Sequence, residues 1–207
     1  MPAGSVERTN ARKEEIINAC EKLYQTMSFK EITLKEIGKE TSFSRTSIYN
    51  YFQTKEEIFL ALLKREYDEW ISQMEEAIAS NDSMSNDEIA KVLAQTLNEH
   101  QQLLKIMSMN HYDLEENSRM ELLVEFKISY GKALDTVIKM LEKFRADMDG
   151  KKRAAFIYSF FPFMFGIYPY TVITEKQKEA MKKAEVNYIY SSVYDLTYVT
   201  VRKLLDC

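Results

Sequence analysis

Apolar residues recur along most of the chain at the spacing of amphipathic helices. From Ile16 in the segment 11–27 they stand at i, i+1, i+4, i+7, i+8 and i+11, which is one face of a helix. Similar patterns predict helices over 54–79, 85–107, 118–146 and 174–205, an aromatic-rich helix over 151–172, and a short helix or bend over 108–117. Five glycines and three prolines in 207 residues are too few for a fold of many tight turns. The pattern therefore predicts an all-α protein.

The starts of the helices are marked by capping boxes, in which a Ser or Thr is followed three residues later by Glu or Gln. The boxes are Thr33/Glu36, Thr54/Glu57, Ser85/Glu88 and Thr174/Gln177. The first opens a helix of about two turns, and Ser44 stands where the N-cap of the next helix is needed. Together with the apolar patterns, these starts give about nine helices, three short ones followed by longer ones.

The three short helices at the N-terminus are spaced as in a helix-turn-helix. The second helix of such a pair lies in the major groove of DNA, so its exposed face needs hydrogen-bonding side chains and few carboxylates. The segment 44–52 contains no acid, and Ile48 and Phe52 would form its inward face. Its predicted DNA contacts are Ser44, Arg45, Thr46, Ser47, Tyr49, Asn50 and Tyr51.

Phosphate contacts are predicted on either side of this segment. Thr33 and Thr54 begin helices whose free N–H groups suit phosphates, and Lys55 adds a positive charge. These three residues would position the reading helix rather than read bases. The alternative, two surface helices that merely have polar faces, leaves the coincidence of spacing, caps and aromatic order unexplained.

Charge is distributed unevenly along the chain. The net charge of −4 argues against a nucleic-acid partner, but residues 1–55 carry nine basic and seven acidic side chains, so the acidity lies in residues 56–207. The two cysteines, Cys20 and Cys207, have no framework spacing, which favours a reducing compartment. The N-terminus shows no apolar run typical of a signal peptide, so we expect a cytoplasmic protein.

The stretch TLKEIGKETSFSRTSIYNYFQTKEEIF, residues 33–59, resembles the DNA-binding head of the tetracycline-repressor (TetR) family of bacterial transcriptional regulators. The resemblance is specific over roughly residues 10–60. It implies the DNA contacts named above except Thr54, which rests on its capping box alone. Four positions depart from the usual family pattern: Gly38 for alanine, Ser42 for the turn glycine, Phe43 for a small aliphatic residue, and Ser47 for glycine. We expect these changes to affect base preference more than fold.

The resemblance also implies that residues 1–55 form a helix-turn-helix domain and residues 56–207 a larger helical domain for dimerisation and effector binding. In the family the last two helices pair across a twofold axis. The stripe suited to that dimer interface is Ile189, Ser192, Val193, Leu196 and Thr200.

Pairs of amphipathic residues one helical turn apart suggest an effector pocket in the body. The predicted ligand-binding residues are Trp70, Met74, His100, Leu104, Phe126 and Tyr130, with His111 and Tyr112 closing the mouth. The alternative is that the first six of these side chains pack against one another and leave no space.

The uncharged segment 154–173 has about the length of a membrane-spanning helix. Pro162, Gly166 and Pro169 make a regular span awkward, so we expect a buried helix, kinked near Pro162, and no membrane partner. Whether it lines the pocket or only the dimer core stays open. His100, His111 and Cys20 have no metal-site spacing, so we expect no metal, and no cofactor motif is apparent. Catalytic motifs are also lacking, so we do not expect an enzyme.

These observations together predict a homodimeric DNA-binding regulator. We expect a repressor that binds a near-palindromic duplex operator and is released by a small hydrophobic effector. Two alternatives stay open: a DNA-binding dimer without an effector, and a helical enzyme or lipid-binding protein.

Overall fold

Ten helices make up the regular structure of the described part of the chain. The computed structural model describes residues 3–206, with the side chains of 3–6, 45, 109 and 110 left undescribed. The helices are α1 (Ala3–Tyr24), α2 (Leu34–Lys39), α3 (Arg45–Ile48), α4 (Lys55–Ala79), α5 (Asn86–Glu99), α6 (Gln101–Glu116), α7 (Met120–Phe144), α8 (Gly150–Thr171), α9 (Glu175–Lys183) and α10 (Val193–Leu205). No strand occurs within residues 3–206, so the all-α prediction is confirmed.

Most helices begin where the sequence predicts, but α1 begins at Ala3 and not near residue 11, and its 22 residues make it a long helix where a short one was predicted. Ser85 and Thr174 form complete capping boxes, and the Thr33 hydroxyl accepts a hydrogen bond from the Glu36 amide. Ser44 is the N-cap of α3, although its side chain makes no capping bond. α8 continues as one helix through Pro162 and Pro169.

The prediction of one continuous helix over 85–107 is wrong, because the chain leaves helical geometry at His100. There φ is −104° and ψ is 47°, which ends α5, and α6 then runs on through residues 108–116, where a short helix or bend was expected. No glycine or proline marks this break in the sequence.

The predicted helix 174–205 is also two helices, α9 and α10. α9 ends in a Schellman motif, in which the Val186 amide donates to the Met181 carbonyl and the Glu185 amide to the Lys182 carbonyl. Glu185 occupies the left-handed position with φ of 54°. This position usually carries glycine, so the stop leaves no signal in the sequence. A new capping box, Ser192 with Asp195, starts α10.

The chain divides into two compact units, one of residues 1–65 and 111–128, the other of 66–110 and 129–207. α4, α6 and α7 each contribute to both units, so the units differ from the segments 1–55 and 56–207. The functional division into those two segments stays a prediction.

The first unit is built around the apolar faces of α1 to α4. Phe59 on α4 packs edge-on against Tyr24, with ring centroids 5.0 Å apart, and against Phe29 at 4.8 Å. Ile48 and Phe52 are buried, which confirms them as the inward face of the helix-turn-helix. Arg65 ties α4 to α1 through bonds to Asn18 Oδ1 and Glu21 Oε2, both 2.5 Å long.

The second unit has an aromatic core, and α10 packs on α5 and α8. Within the described residues no single helix is both long and apolar enough to cross a membrane. Only α8 and α9 taken together reach that criterion, and the pair is bent by 80°.

Candidate nucleic-acid interface and effector region

The reading segment, residues 44–51, presents uncharged polar groups to solvent. Ser44, Thr46 and Asn50 are exposed, Ser47 is half-buried, and Tyr49 is 46% exposed. The hydroxyl oxygens of Ser44 and Ser47 lie 3.1 Å apart. The Arg45 side chain lies outside the described residues. The other members of the predicted set therefore occupy one continuous stretch held on Ile48 and Phe52.

Tyr51 is half-buried, and its hydroxyl bonds within the protein. The Arg12 guanidinium donates to it at 3.3 Å and lies 5.7 Å from the Phe43 ring centroid. Arg12 on α1 thus stands beside the reading segment, although sequence reasoning missed it. The bond joins residues 39 positions apart, so no local pattern could have revealed it.

The start of α2 carries an acid where a phosphate was predicted to bind. The Glu36 carboxylate accepts from the Thr33 hydroxyl and from Lys39 Nζ. Both hydrogen bonds lower the pKa of the Glu36 carboxyl, and the bond from Thr33 has the larger effect. A phosphate at this N-terminus would therefore have to displace the Glu36 side chain.

Thr54 and Lys55 are also bonded within the first unit. The Thr54 hydroxyl donates to the Asn117 carbonyl at 3.0 Å and accepts from the Glu57 amide at 3.1 Å. The Lys55 ammonium donates to the Phe29 carbonyl at 2.7 Å and lies 4.1 Å from the centroid of the Phe29 ring. A phosphate contact would have to share or replace these bonds.

Glu57 and Arg119 form an ion pair that the sequence did not predict. Glu57 is 1% exposed, and Arg119 Nε donates to its Oε1 at 2.6 Å. Burial raises the pKa of Glu57, but hydrogen bonds from Arg119 and the Gln53 amide outweigh it and leave the pKa below its usual value. A carboxylate so buried stays charged because a cation faces it.

Three of the predicted effector residues belong to an aromatic core in the second unit. Trp70 and Met74 are fully buried, and both contact Thr96, whose hydroxyl accepts from Trp70 Nε1 at 3.1 Å. The Tyr130 ring lies 5.9 Å from that of Tyr67 and 5.8 Å from that of Phe161. Tyr67, Thr96 and Phe161 are the members of this cluster that sequence reasoning missed.

Two polar side chains of this unit lie next to a buried acid, Glu66. His100 Nδ1 lies 3.7 Å from Glu66 Oε2, and Gln102 Nε2 donates to Oε1 at 2.9 Å. Leu104, two residues further on, is fully buried.

The other three predicted effector residues belong to the first unit. Phe126 is buried, His111 Nε2 lies 3.2 Å from Glu115 Oε1, and Tyr112 is 85% exposed. Burial lowers the pKa of His111 despite the nearby Glu115 carboxylate. A role for these three in ligand binding stays a prediction.

The predicted dimer residues differ in exposure. Ile189 is 81% exposed, Leu196 and Thr200 are half-buried, and Val193 packs inside its own unit. Ser192 is exposed and caps α10. Val199, which was not predicted, is 48% exposed on the same helix. Leu196, Val199 and Thr200, which lie three and four residues apart on α10, therefore form a mostly apolar strip that is at least partly exposed in the described chain.

Two family descriptions match the chain. "Bacterial regulatory proteins, tetR family" covers residues 16–62, and "Tetracyclin repressor-like, C-terminal domain" covers residues 64–192. A curated relative, the uncharacterized HTH-type transcriptional regulator YfiR of Bacillus subtilis, is 28% identical over 76 residues. That match spans 37% of each chain.

Solved structures share the fold over nearly the whole chain. A TetR/AcrR-family transcriptional regulator from Thermobifida fusca has a TM-score of 0.64 at 17% identity, with 95% of this chain and 97% of that one covered. FadR from Bacillus subtilis, solved in complex with stearoyl-CoA, has a TM-score of 0.58 at 19% identity and covers 93% of this chain and 96% of its own. At such identities the likeness shows the fold alone. The matches of both family descriptions, together with this fold, show that the chain belongs to the TetR family of bacterial transcriptional regulators.

Proposed function

We propose that this protein is a homodimeric repressor that binds a near-palindromic operator and is released by a small hydrophobic effector. Its place of action is the cytoplasm, where bacterial DNA lies. The observation that carries the DNA-binding part is the reading segment, in which acid-free polar side chains are exposed on a buried apolar base. Such a face can offer donors and acceptors to base edges without repelling phosphates.

Two observations support an effector of this class. The core of the second unit contains aromatic rings and a few polar tips, the usual make-up of a small-molecule site. FadR of the same fold was solved with stearoyl-CoA, a ligand with a long apolar chain. The effector would bind better to a conformation in which the spacing of the two reading segments no longer matches adjacent major grooves.

The close packing around Trp70 favours a second candidate, a dimeric DNA-binding protein without an effector. Trp70, Met74 and Leu104 are fully buried, as in an ordinary core. A thermal-shift screen with fatty acids and acyl-CoA thioesters separates the two functions. The effector model expects a ligand that raises the melting temperature and lowers operator affinity, whereas no shift for any of them favours the second candidate.

DNA binding is tested by selecting duplexes from a random pool with the purified protein. We expect a near-palindromic sequence with half-sites about one turn apart, roughly 34 Å, and affinity that falls steeply with added salt. Equal affinity for selected and random duplexes at moderate salt would refute the proposal.

The predicted roles within the interface can be separated by substitution. Asn50→Ala and Tyr49→Ala should weaken binding to the selected duplex more than binding to random DNA. The difference in binding free energy should be roughly 1–3 kcal/mol for each lost base contact. Lys55→Ala should weaken both about equally, because a phosphate contact carries no sequence information. A change of preferred sequence in Lys55→Ala alone would contradict this assignment.

The dimer interface is tested with Leu196→Glu, which places a charge on the apolar strip of α10. We expect monomers in light scattering and loss of operator binding. Ser83→Glu, at an exposed position of the loop 80–85 in the same unit, is the matched control and should stay dimeric. A folded Leu196→Glu variant with unchanged dimer mass would place the interface elsewhere.

A further inference from the structure

The turn between α6 and α7, residues 117–119, is bound to the start of α4. Arg119 gives three hydrogen bonds to the Glu57 carboxylate: Nε to Oε1 at 2.6 Å, the backbone amide to Oε1 at 3.2 Å, and Nη2 to Oε2 at 3.0 Å. The Gln53 amide donates to Oε2 at 2.7 Å. The carboxylate is thus surrounded by donors from two distant parts of the chain.

The same turn also bonds to the end of the reading segment. Arg119 Nη2 donates to the Tyr51 carbonyl at 3.0 Å, and the Asn117 carbonyl accepts from the Thr54 hydroxyl at 3.0 Å. Tyr51 directly follows Asn50, one of the predicted base contacts. One guanidinium therefore joins the end of the reading segment to the first turn of α4.

The chemistry of the pair makes this junction stiff. A buried carboxylate is costly unless it is paired and hydrogen-bonded, so Glu57 holds Arg119 in place. The planar guanidinium offers its donors in a fixed fork, so three bonds at once define both distance and angle. A lysine could keep the charge but not this geometry.

We propose that Arg119 is a positioning residue for DNA reading, which fixes the orientation of residues 44–51 relative to α4 through Glu57 and the Tyr51 carbonyl. This inference rests on the proposed DNA-binding function. Base contacts need donors and acceptors within a few tenths of an ångström of their ideal distance, whereas phosphate contacts tolerate small shifts. Loss of Arg119 should therefore reduce discrimination between sequences more than general DNA affinity.

The test compares Arg119→Gln, Arg119→Lys, Glu57→Gln and the Glu57→Gln/Arg119→Gln double variant on selected and random duplexes, well below their melting temperatures. We expect each single variant to lower the ratio of selected to random affinity roughly tenfold, about one lost base contact. The double variant should lower this affinity ratio no further than either single variant does, because the two side chains act as a unit. Arg119→Lys is the conservative variant that keeps the buried carboxylate paired if the glutamine variants fold poorly.

Arg65→Gln is the matched control. Arg65 is also a guanidinium of the first unit that bonds a carboxylate from another helix, but it joins α4 to α1. The Arg65→Gln substitution should lower the stability of the protein and leave the ratio of selected to random affinity unchanged. A drop in stability without a change in the affinity ratio for all Arg119 and Glu57 variants would overturn the proposal, since that is the result of a merely structural ion pair.

Hydrogen exchange gives a readout that does not depend on DNA. The amides of residues 50–53 should exchange faster in Arg119→Gln than in Arg65→Gln, because the bonds around Gln53 and Tyr51 lose their anchor. If the wild-type protein selects no sequence, the proposed function fails, and equal exchange in the two variants would then refute positioning by Arg119 as well. Wild-type selection together with unchanged exchange and an unchanged ratio would refute the positioning role alone.

Discussion

Replacement of Thr96 by valine tests whether the centre of the second unit is a closed core or an open binding site. Trp70 is fully buried, and its Nε1–H donates to the Thr96 hydroxyl at 3.1 Å. The same hydroxyl lies 3.6 Å from Met74 Sδ and 3.3 Å from the Leu93 carbonyl. Valine matches the shape of threonine but cannot accept the indole hydrogen bond.

The expected cost follows from these contacts. A buried N–H left without an acceptor costs about 1–3 kcal/mol, and the added apolar contact of valine offsets part of this. We therefore expect the free energy of unfolding to fall by about 1–2 kcal/mol. With a urea m-value of about 2–3 kcal/mol per M, the unfolding midpoint should fall by roughly 0.5 M.

The assay is urea unfolding followed by circular dichroism at one fixed protein concentration, since the stability of a dimer depends on concentration. Trp70 is the only tryptophan in the chain, so its fluorescence reports on this position directly. Trp70→Phe and the Trp70→Phe/Thr96→Val double variant complete a cycle, in which we expect a coupling of about 1 kcal/mol. A loss below about 0.3 kcal/mol with no coupling would refute the reasoning, because water or another group would then reach the indole and the site would be open.

Three further results are expected. Leu104→Trp should lower stability by about 1–3 kcal/mol through overpacking and leave operator affinity in the cold intact; unchanged melting together with loss of the effector response would instead indicate a cavity at Leu104. The pKa of Glu57 is lowered on folding, so this carboxylate contributes stability above its unfolded pKa of about 4.5, and the contribution is lost as pH falls through the folded pKa. Glu57→Gln should therefore flatten the acid side of the plot of melting temperature against pH. Parallel plots for the variant and the wild type would contradict this. Glu185→Gly should slow hydrogen exchange in the last turn of α9, because glycine adopts a φ of 54° without the strain of a side chain, and faster exchange would contradict this assignment.

The sequence by itself determined the all-α class, most helix starts and the helix-turn-helix. These features depend on contacts within a few residues, such as the capping bonds at Thr33, Ser85 and Thr174 and the helical spacing of Ile48 and Phe52. Short-range hydrogen bonds and periodicity leave a pattern in the letters themselves. The position of the reading segment therefore follows from the order of residues alone.

Only the tertiary structure decided where two long helical patterns break and which distant groups meet. The stop at Glu185 uses a left-handed residue that is not glycine, and the break at His100 carries no helix-breaking residue. Arg119 meets Glu57 across 62 positions, and Lys55 bonds to the Phe29 carbonyl across 26. Partners at such separations are chosen by how whole helices pack, and no local spacing records that choice.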